Sequence, residues 1–390
     1  MSTTAADTAS AVATASANDT ALDTATTSVL APTSSSDAVD ANAVTEDEAA
    51  LYDRQIRLWG LEAQTRMRTS HVLVWGFTGV ATEVIKNIVL SGIGTLSILD
   101  PDTVRDEDLS AGFFWRQDDV GASRVADAPV DRIRALNPLV KVQGLTDQSI
   151  LQGSPEEVAA KVKQLGVDVV VACRGTKLEL TTLNDALRLS STKFYATSSF
   201  GFGGYIFSDL GASHDFITER VLPPSSSSTQ PEKKRIKNRT TFVPLSHSLD
   251  MTWAGIEARK IKRLRLAPGL WTVWASWEAQ QHGGGGGGEL REVAERMMVE
   301  RGVDPSLVFE AQGVDRQAWF QTYAASTSTR GEFAPTCAVL GGLLAQDVLN
   351  ALGGREEPIT NWLILDAMGS GNATLHTVGS AVSTQAGVAV

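Results

Sequence analysis

The sequence predicts an α/β protein: a mainly parallel sheet covered by helices, with a mostly helical insertion. Three observations predict it. Short apolar runs alternate with helix-length segments between residues 71 and 199. The first run ends in a glycine turn, Gly76-Phe77-Thr78-Gly79, that opens the next helical segment. After residue 209 the alternation stops, and helical patterning takes over from 246 to 328. Strand, helix and strand in this rhythm build a parallel sheet with helices on its faces.

Residues 1–44 are almost all Ala, Ser, Thr, Asp and Val, and are expected to form a disordered acidic tail. Such sequence buries too little surface to offset its ordering entropy. Thr45 and Glu48 have capping-box spacing, so order is expected to begin there. The run 71–75 is a strand, 80–91 a helix, and 95–99 a second strand ending at Asp100. A helix over 122–136, kinked at Pro129, stops at Asn137-Pro138. Strands follow at 139–145, 167–172 and 193–199, separated by helices at 155–165 and 178–190. Residues 203–209 add one more strand, and 222–240 read as an exposed loop. In the helical stretch, Trp271, Trp274 and Trp277 recur every third residue, as on the core face of a helix. The glycines 283–288 read as a flexible linker. A helix at 334–352 leads to a last strand at 362–366, and 379–390 read as a loose tail. The expected layout is an α/β domain at 45–245, an insertion at 246–332, and a return to the domain at 333–378.

The 390 residues carry 45 acidic against 34 basic side chains, for a net charge of −11. The first 50 residues hold eight acids and no Lys or Arg, so the rest is nearly balanced. That argues against a binder of nucleic-acid backbones, which needs a basic face. Two cysteines exclude a disulfide scaffold and a four-thiolate zinc site. No apolar run reaches the roughly 18 residues of a membrane span, and the N-terminus has no signal-peptide pattern. The expectation is a soluble protein of a reducing compartment, with no nucleic-acid or membrane partner.

A glycine turn between strand and helix lets a phosphate approach backbone N–H groups. Asp100 stands at the end of the next strand, where ribose hydroxyls are often bound. The spacing, however, is G-x-x-G-x-A and not the dinucleotide fingerprint, so a free-standing nucleotide-dependent enzyme such as an NAD(P) oxidoreductase stays open.

A second set of residues is more specific. Residues 52–60 read Y-D-R-Q-I-R-L-W-G, and 134–138 read R-A-L-N-P. F-G-F-G-G-Y follows at 200–205 and A-P-T-C-A-V-L-G-G-L-L-A-Q-D at 334–347. Together with the glycine turn and L-D-P-D at 99–102, these resemble the activating enzymes for ubiquitin-like modifiers across 46–380. Within that family the chain resembles the smaller, regulatory subunit of the SUMO-activating enzyme. The resemblance implies a Rossmann-like adenylation domain of the ThiF/MoeB type. It also implies a heterodimer whose catalytic partner binds ATP and Mg²⁺, adenylates the SUMO C-terminus, takes the acyl group on its own Cys, and passes it to a conjugating enzyme.

Catalytic members of the family differ from this chain at the site. Their turn reads G-x-G-G-x-G, where Thr78 and Ala81 stand here. Their N-L-N-R-Q segment corresponds to Asp108, Leu109, Ser110, Ala111 and Gly112. Their phosphate-binding Lys corresponds best to Arg124, and their Mg²⁺-binding Asp to Arg174. Gly76, Gly79 and Asp100 are then remnant positions, and no nucleotide or metal is expected in this chain's own site. Cys173 and Cys337 lie in a strand and an apolar helix and read as core residues, not nucleophiles. Arg54 is the position that, by the resemblance, reaches the ATP of the partner. It sits at the edge of an apolar arc formed by Leu51, Tyr52, Ile56, Leu58 and Trp59. A pure scaffold would have no need of Arg54. A regulatory subunit for another modifier is the nearest alternative, although those relatives carry longer insertions. The run K-K-R-I-K-N-R at 233–239 is either a solvated loop or a nuclear import signal. Import is preferred, so the nucleus is the expected location, with the cytoplasm left open.

Overall fold

Continuous apolar runs make the centre of the sheet. The structure, a computed structural model, describes residues 50–222, 232–281, 287–328, 331–366, 372–376 and 384–385. The expected acidic tail, the Thr45–Glu48 cap and residues 283–286 of the glycine run lie outside them, while Gly287 and Gly288, expected in a flexible linker, start a helix. The N-terminal half carries α1 Asp53–Trp59, α2 Leu61–Arg68, β1 His71–Trp75, α3 Gly79–Leu90, β2 Thr95–Leu99, α4 Asp127–Arg134 and β3 Lys141–Leu145. Next come α5 Pro155–Gln164, β4 Val169–Ala172, α6 Lys177–Ser190, β5 Lys193–Phe200, β6 Gly203–Asp209, β7 His214–Leu222 and β8 Glu232–Thr240. The helices α7 Leu245–Leu249, α8 Ala258–Leu264, α9 Pro268–Gln281, α10 Gly287–Glu300, α11 Pro305–Val308 and α12 Arg316–Ser328 follow. The chain closes with α13 Ala334–Gly353, β9 Asn361–Asp366, β10 Asn372–His376 and β11 Thr384–Gln385.

The main sheet runs β10-β9-β6-β5-β4-β1-β2-β3. The strands β3, β2, β1, β4 and β5 are parallel, and β6, β9 and β10 continue antiparallel. Alternate side chains feed two cores. Val72 and Val74 face one side with α3 and α13. Leu73 and Trp75 face the other with α5 and α6.

The helical segment is a layer of this same body. Tyr205, Phe207 and Trp362 present an apolar face on β6 and β9 that α5 and α6 do not cover. Helix α9 covers it: Trp274 and Trp277 each lie with ring centroids 5.9 Å from Trp362, and Trp277 lies 5.6 Å from Tyr205. Trp271, Trp274 and Trp277 are all buried, as their spacing predicts.

Several expectations change. Asp127 starts α4 and Pro129 lies in its first turn, where its missing N–H breaks no helical bond; residues 122–126 are not helical, and the expected kink is absent. The expected loop at 222–240 contains β8, paired with β7 in register from His214–Thr240 to Leu222–Glu232. Arg235, Lys237 and Arg239 form the outer face of a period-2 strand: Asn238 and Thr240 are buried, while Arg235 pairs with Glu219 and Arg239 with Asp215. Three further strands were not expected: β7, the partner of β8; β10, which extends the sheet beyond β9; and β11, inside the expected loose tail, which pairs with β8. Finally, α13 is long and apolar enough to cross a membrane by composition alone. Yet 67% of its apolar window is buried inside the fold, as in a core helix.

One buried acid locks α13 in place. The Asp347 carboxylate accepts from the Tyr195 hydroxyl at 2.8 Å and from Ile359 N at 2.8 Å. Burial pushes its carboxyl up to about 6, against the opposing pull of those two donors. The folded chain therefore holds this proton more tightly than the unfolded chain, whose Asp titrates near ~3.9. Its contribution to stability falls as pH rises from about 4 to about 6. Asp347→Asn should remove that slope. The stability difference between variant and parent should move in the variant's favour by on the order of 1–3 kcal/mol across the window. Chemical denaturation at several pH values measures it, and a pH-independent difference would count against the assignment.

Candidate functional site

The strand order reverses between β1 and β4, and in such sheets the crevice at the strands' C-terminal ends is where ligands bind. Four segments meet there: the turn after β1, the end of β2, the chain around Arg124, and Cys173–Arg174 after β4.

Four amides around the turn are bonded within the chain. Gly76 N donates to Leu99 O at 2.9 Å. Phe77 N donates to Asp100 Oδ2 at 2.6 Å. Thr78 caps α3, its hydroxyl accepting from Ala81 N at 3.3 Å. Gly79 N donates to a carboxylate oxygen of Glu332. A phosphate has to compete with an existing partner for each of these amides.

Asp100 is fully buried. Besides Phe77 N it accepts from Asp102 N at 2.8 Å. Two guanidiniums approach it, Arg124 at 3.4 Å and Arg174 at 3.5 Å. Arg124 also grips both oxygens of Asp108, at 2.8 and 2.7 Å. Burial works against the Arg124 charge, but Asp108 and Asp100 more than compensate, and its guanidinium is held above the ordinary arginine range. Arg174 completes the cluster with Asp102 at 2.9 Å. Its stem lies across the turn: a Cβ on Gly76 would stand 2.7 Å from Arg174 Cγ. Gly76 has a φ of +89°, and the room its missing side chain leaves is taken by the arginine.

The positions Gly76, Gly79 and Asp100 thus meet in one place, bonded within the chain, although Arg124 Nε is buried there without a hydrogen-bond partner. Among the described residues no group of three or more His, Cys, Asp or Glu is placed to hold a metal. Asp100, Asp102 and Asp108 are each matched by an arginine. Cys173 and Cys337 are both buried. Burial pushes the Cys173 thiol far above its usual range and that of Cys337 up to about 12, so both stay protonated. Beside the cluster lies a cavity of about 340 Å³, walled by Arg174, Ser198, Ser199, Trp277, Gln280 and Tyr323.

Arg54 lies elsewhere, exposed on α1. Among the described residues no ion pair or hydrogen bond engages its side chain, whereas Arg57 pairs with Asp53 at 3.0 Å. The expected apolar arc divides in two. Tyr52 is buried, and its hydroxyl accepts from Asn137 at 2.7 Å, which joins two of the sequence motifs. Ile56 and Trp59 are half-buried. Leu51 and Leu58 are 59% and 81% exposed, on the side of the helix that carries Arg54. Sequence reasoning missed Glu332. Its partner Gly79 is 253 residues away, and no local pattern marks it.

A buried carboxylate that two arginines depend on should be costly to remove. Asp100→Ala should lower unfolding free energy by about 3–5 kcal/mol. Asp102→Ala, at a partly exposed pair, should cost about 0–1 kcal/mol. Denaturant titration of both variants checks this, and two equally small losses would show that the cluster is not the anchor described.

The ThiF family profile matches residues 52–380. The SUMO-activating enzyme subunit 1 of Rattus norvegicus is 34% identical over 347 residues, covering 84% of this chain and 94% of that protein. The Homo sapiens protein of the same name is 31% identical over 357 residues, covering 86% and 96%. That of Xenopus tropicalis is 32% identical over 354 residues, covering 86% and 97%. Among solved structures, a crystal structure of PaaA is 14% identical, covers 86% of this chain and 75% of its own, and superposes with a TM-score of 0.50. That likeness speaks to the fold alone. With the doubly wound sheet, the glycine turn and the matched span in agreement, this chain belongs to the ThiF family, in the branch of the SUMO-activating enzyme subunit 1 proteins.

Proposed function

We propose that this chain is the non-catalytic subunit of a heterodimeric SUMO-activating enzyme and is inactive alone. One observation carries the reading: the amides of Gly76, Phe77 and Gly79 and the oxygens of Asp100 are already bonded within the chain. A nucleotide would have to displace several charge-assisted bonds to bind here. Adenylation then belongs to the partner, which holds ATP and Mg²⁺, activates the SUMO C-terminus and carries it on its own Cys. This chain supports that site and contributes Arg54 to it. Arg54, Leu51 and Leu58 share the exposed side of α1, and Leu61 follows, 54% exposed. Apolar side chains around an uncommitted guanidinium suit a surface that docks a sister subunit. Arg54 then reaches the phosphates, where pyrophosphate leaves and negative charge builds.

We place the protein in the nucleus on the basic run of β8. Neutralising Lys233, Lys234, Arg235 and Lys237 together should shift a fluorescent fusion toward the cytosol; unchanged nuclear signal would assign that task to the partner.

The mechanism predicts a contrast between two neighbouring arginines. In the reconstituted dimer, Arg54→Ala should slow ATP–pyrophosphate exchange by about 10²–10³-fold, since a donor aimed at developing charge is worth about 2–4 kcal/mol. Arg57→Ala loses only an exposed pair and should stay within about twofold. Dimer affinity, measured separately, should be retained in both. Exchange by the chain without its partner, or equal defects in the two variants, would refute the reading.

A further inference from the structure

The geometry points to Glu332 as a built-in anion, seated where a phosphate would meet the glycine turn, with Gly331–Phe333 as a strap that holds the degenerate site shut. This goes beyond the loss of catalytic groups. It says that the chain supplies its own ligand, and it depends on neither the modifier nor the partner.

The carboxylate joins two walls of the crevice. One oxygen accepts from Gly79 N at the start of α3. The other accepts from the Ser199 hydroxyl at 2.8 Å, near the end of β5, and lies 3.6 Å from Cys337 Sγ. The strap's backbone is tied to a third wall, Ser110 donating to Glu332 O at 3.0 Å. Phe333 anchors the far side, its ring 4.6 Å from that of Phe202.

Helix α3 needs such an anion. Its 12 residues begin with no acidic side chain in the first turn, so the positive end of its dipole has no local complement. The complement comes from residue 332 instead. Sterics agree. A Cβ at Gly79 would lie 2.9 Å from Glu332 Oε2 and 2.7 Å from Ala111 Cβ. Glycine at 79 therefore makes room for the carboxylate. Across the turn, the Arg174 stem fills the space over Gly76. An internal anion and an internal cation together occupy the cradle.

The test uses the full chain, with inorganic phosphate and pyrophosphate as probes and sodium chloride at matched ionic strength as control. Parent protein should melt at the same temperature in all three. Glu332→Ala should melt roughly 2–4 °C lower. Millimolar phosphate or pyrophosphate should restore at least half of that loss, saturably. Glu332→Gln, which keeps the shape and an acceptor oxygen, should show a smaller loss and a smaller rescue; it carries the test if the alanine variant fails to fold. Equal stabilisation of the parent by phosphate would show that the position is open. Unchanged melting of the variants, or a loss that no phosphate restores, would make Glu332 an ordinary helix cap and overturn the proposal.

Discussion

Asp100 is a carboxylate with no access to water, and the crevice edge of the sheet is arranged around keeping it paired. A charge in that position is tolerated only with donors on every side. They come from four parts of the chain: the turn after β1, the residues after β2, Arg124 and Arg174. The switch point between β1 and β4 brings these segments within reach. Once they are there, Asp100 fixes their spacing, and Asp108 and Asp102 follow because the arginines have further nitrogens to satisfy.

On the function proposed above, that arrangement inverts what an adenylation site needs. Catalysis of phosphoryl chemistry requires free amides, a cation for the phosphates, and carboxylates open to a metal. Here the amides are engaged, the cations are spent on internal acids, and a guanidinium stands at the position the family resemblance assigns to a metal-binding carboxylate. The core of the architecture does not depend on what the crevice holds. Val72 and Val74 feed one layer and Leu73 and Trp75 the other, whatever occupies the crevice. Arg54, which has no ion pair or hydrogen bond among the described residues, lies on α1 and faces outward.

Much of this was legible in the sequence, for a physical reason. Buried parallel strands read as unbroken apolar runs, so β1, β2 and β4 stood out, and the glycine turn marked the start of α3. The departures at Thr78, Ala81, Arg124 and Arg174 could be named by position before any contact was known. What stayed hidden was non-local or masked by composition. The inward residues of β8 include Asn238 and Thr240, so its alternation looked like polar loop sequence. Pro129 suggested a kink only because the start of α4 was placed five residues too early. Helical periodicity put Leu51 and Leu58 with Tyr52 on one arc, but it cannot say which part of an arc meets the body. Nor does any short window connect Glu332 to Gly79.

The pairing of α3 with α13 has a consequence for how the protein is made. Val80, Val84 and Ile88 of α3 are buried with Leu340, Leu344 and Val348 of α13, some 260 residues later on the ribosome's schedule. Strand β9 likewise slots beside β6 only near the end. Throughout synthesis the early half must carry one face of its sheet uncovered and one edge unpaired, a state prone to misassociation. A premature stop shortly before residue 334 would spare the whole glycine turn and still strand it on an open apolar surface. The C-terminal seventh of the chain thus acts as the closing step of biosynthesis, covering an apolar face and a sheet edge that the earlier residues cannot close by themselves.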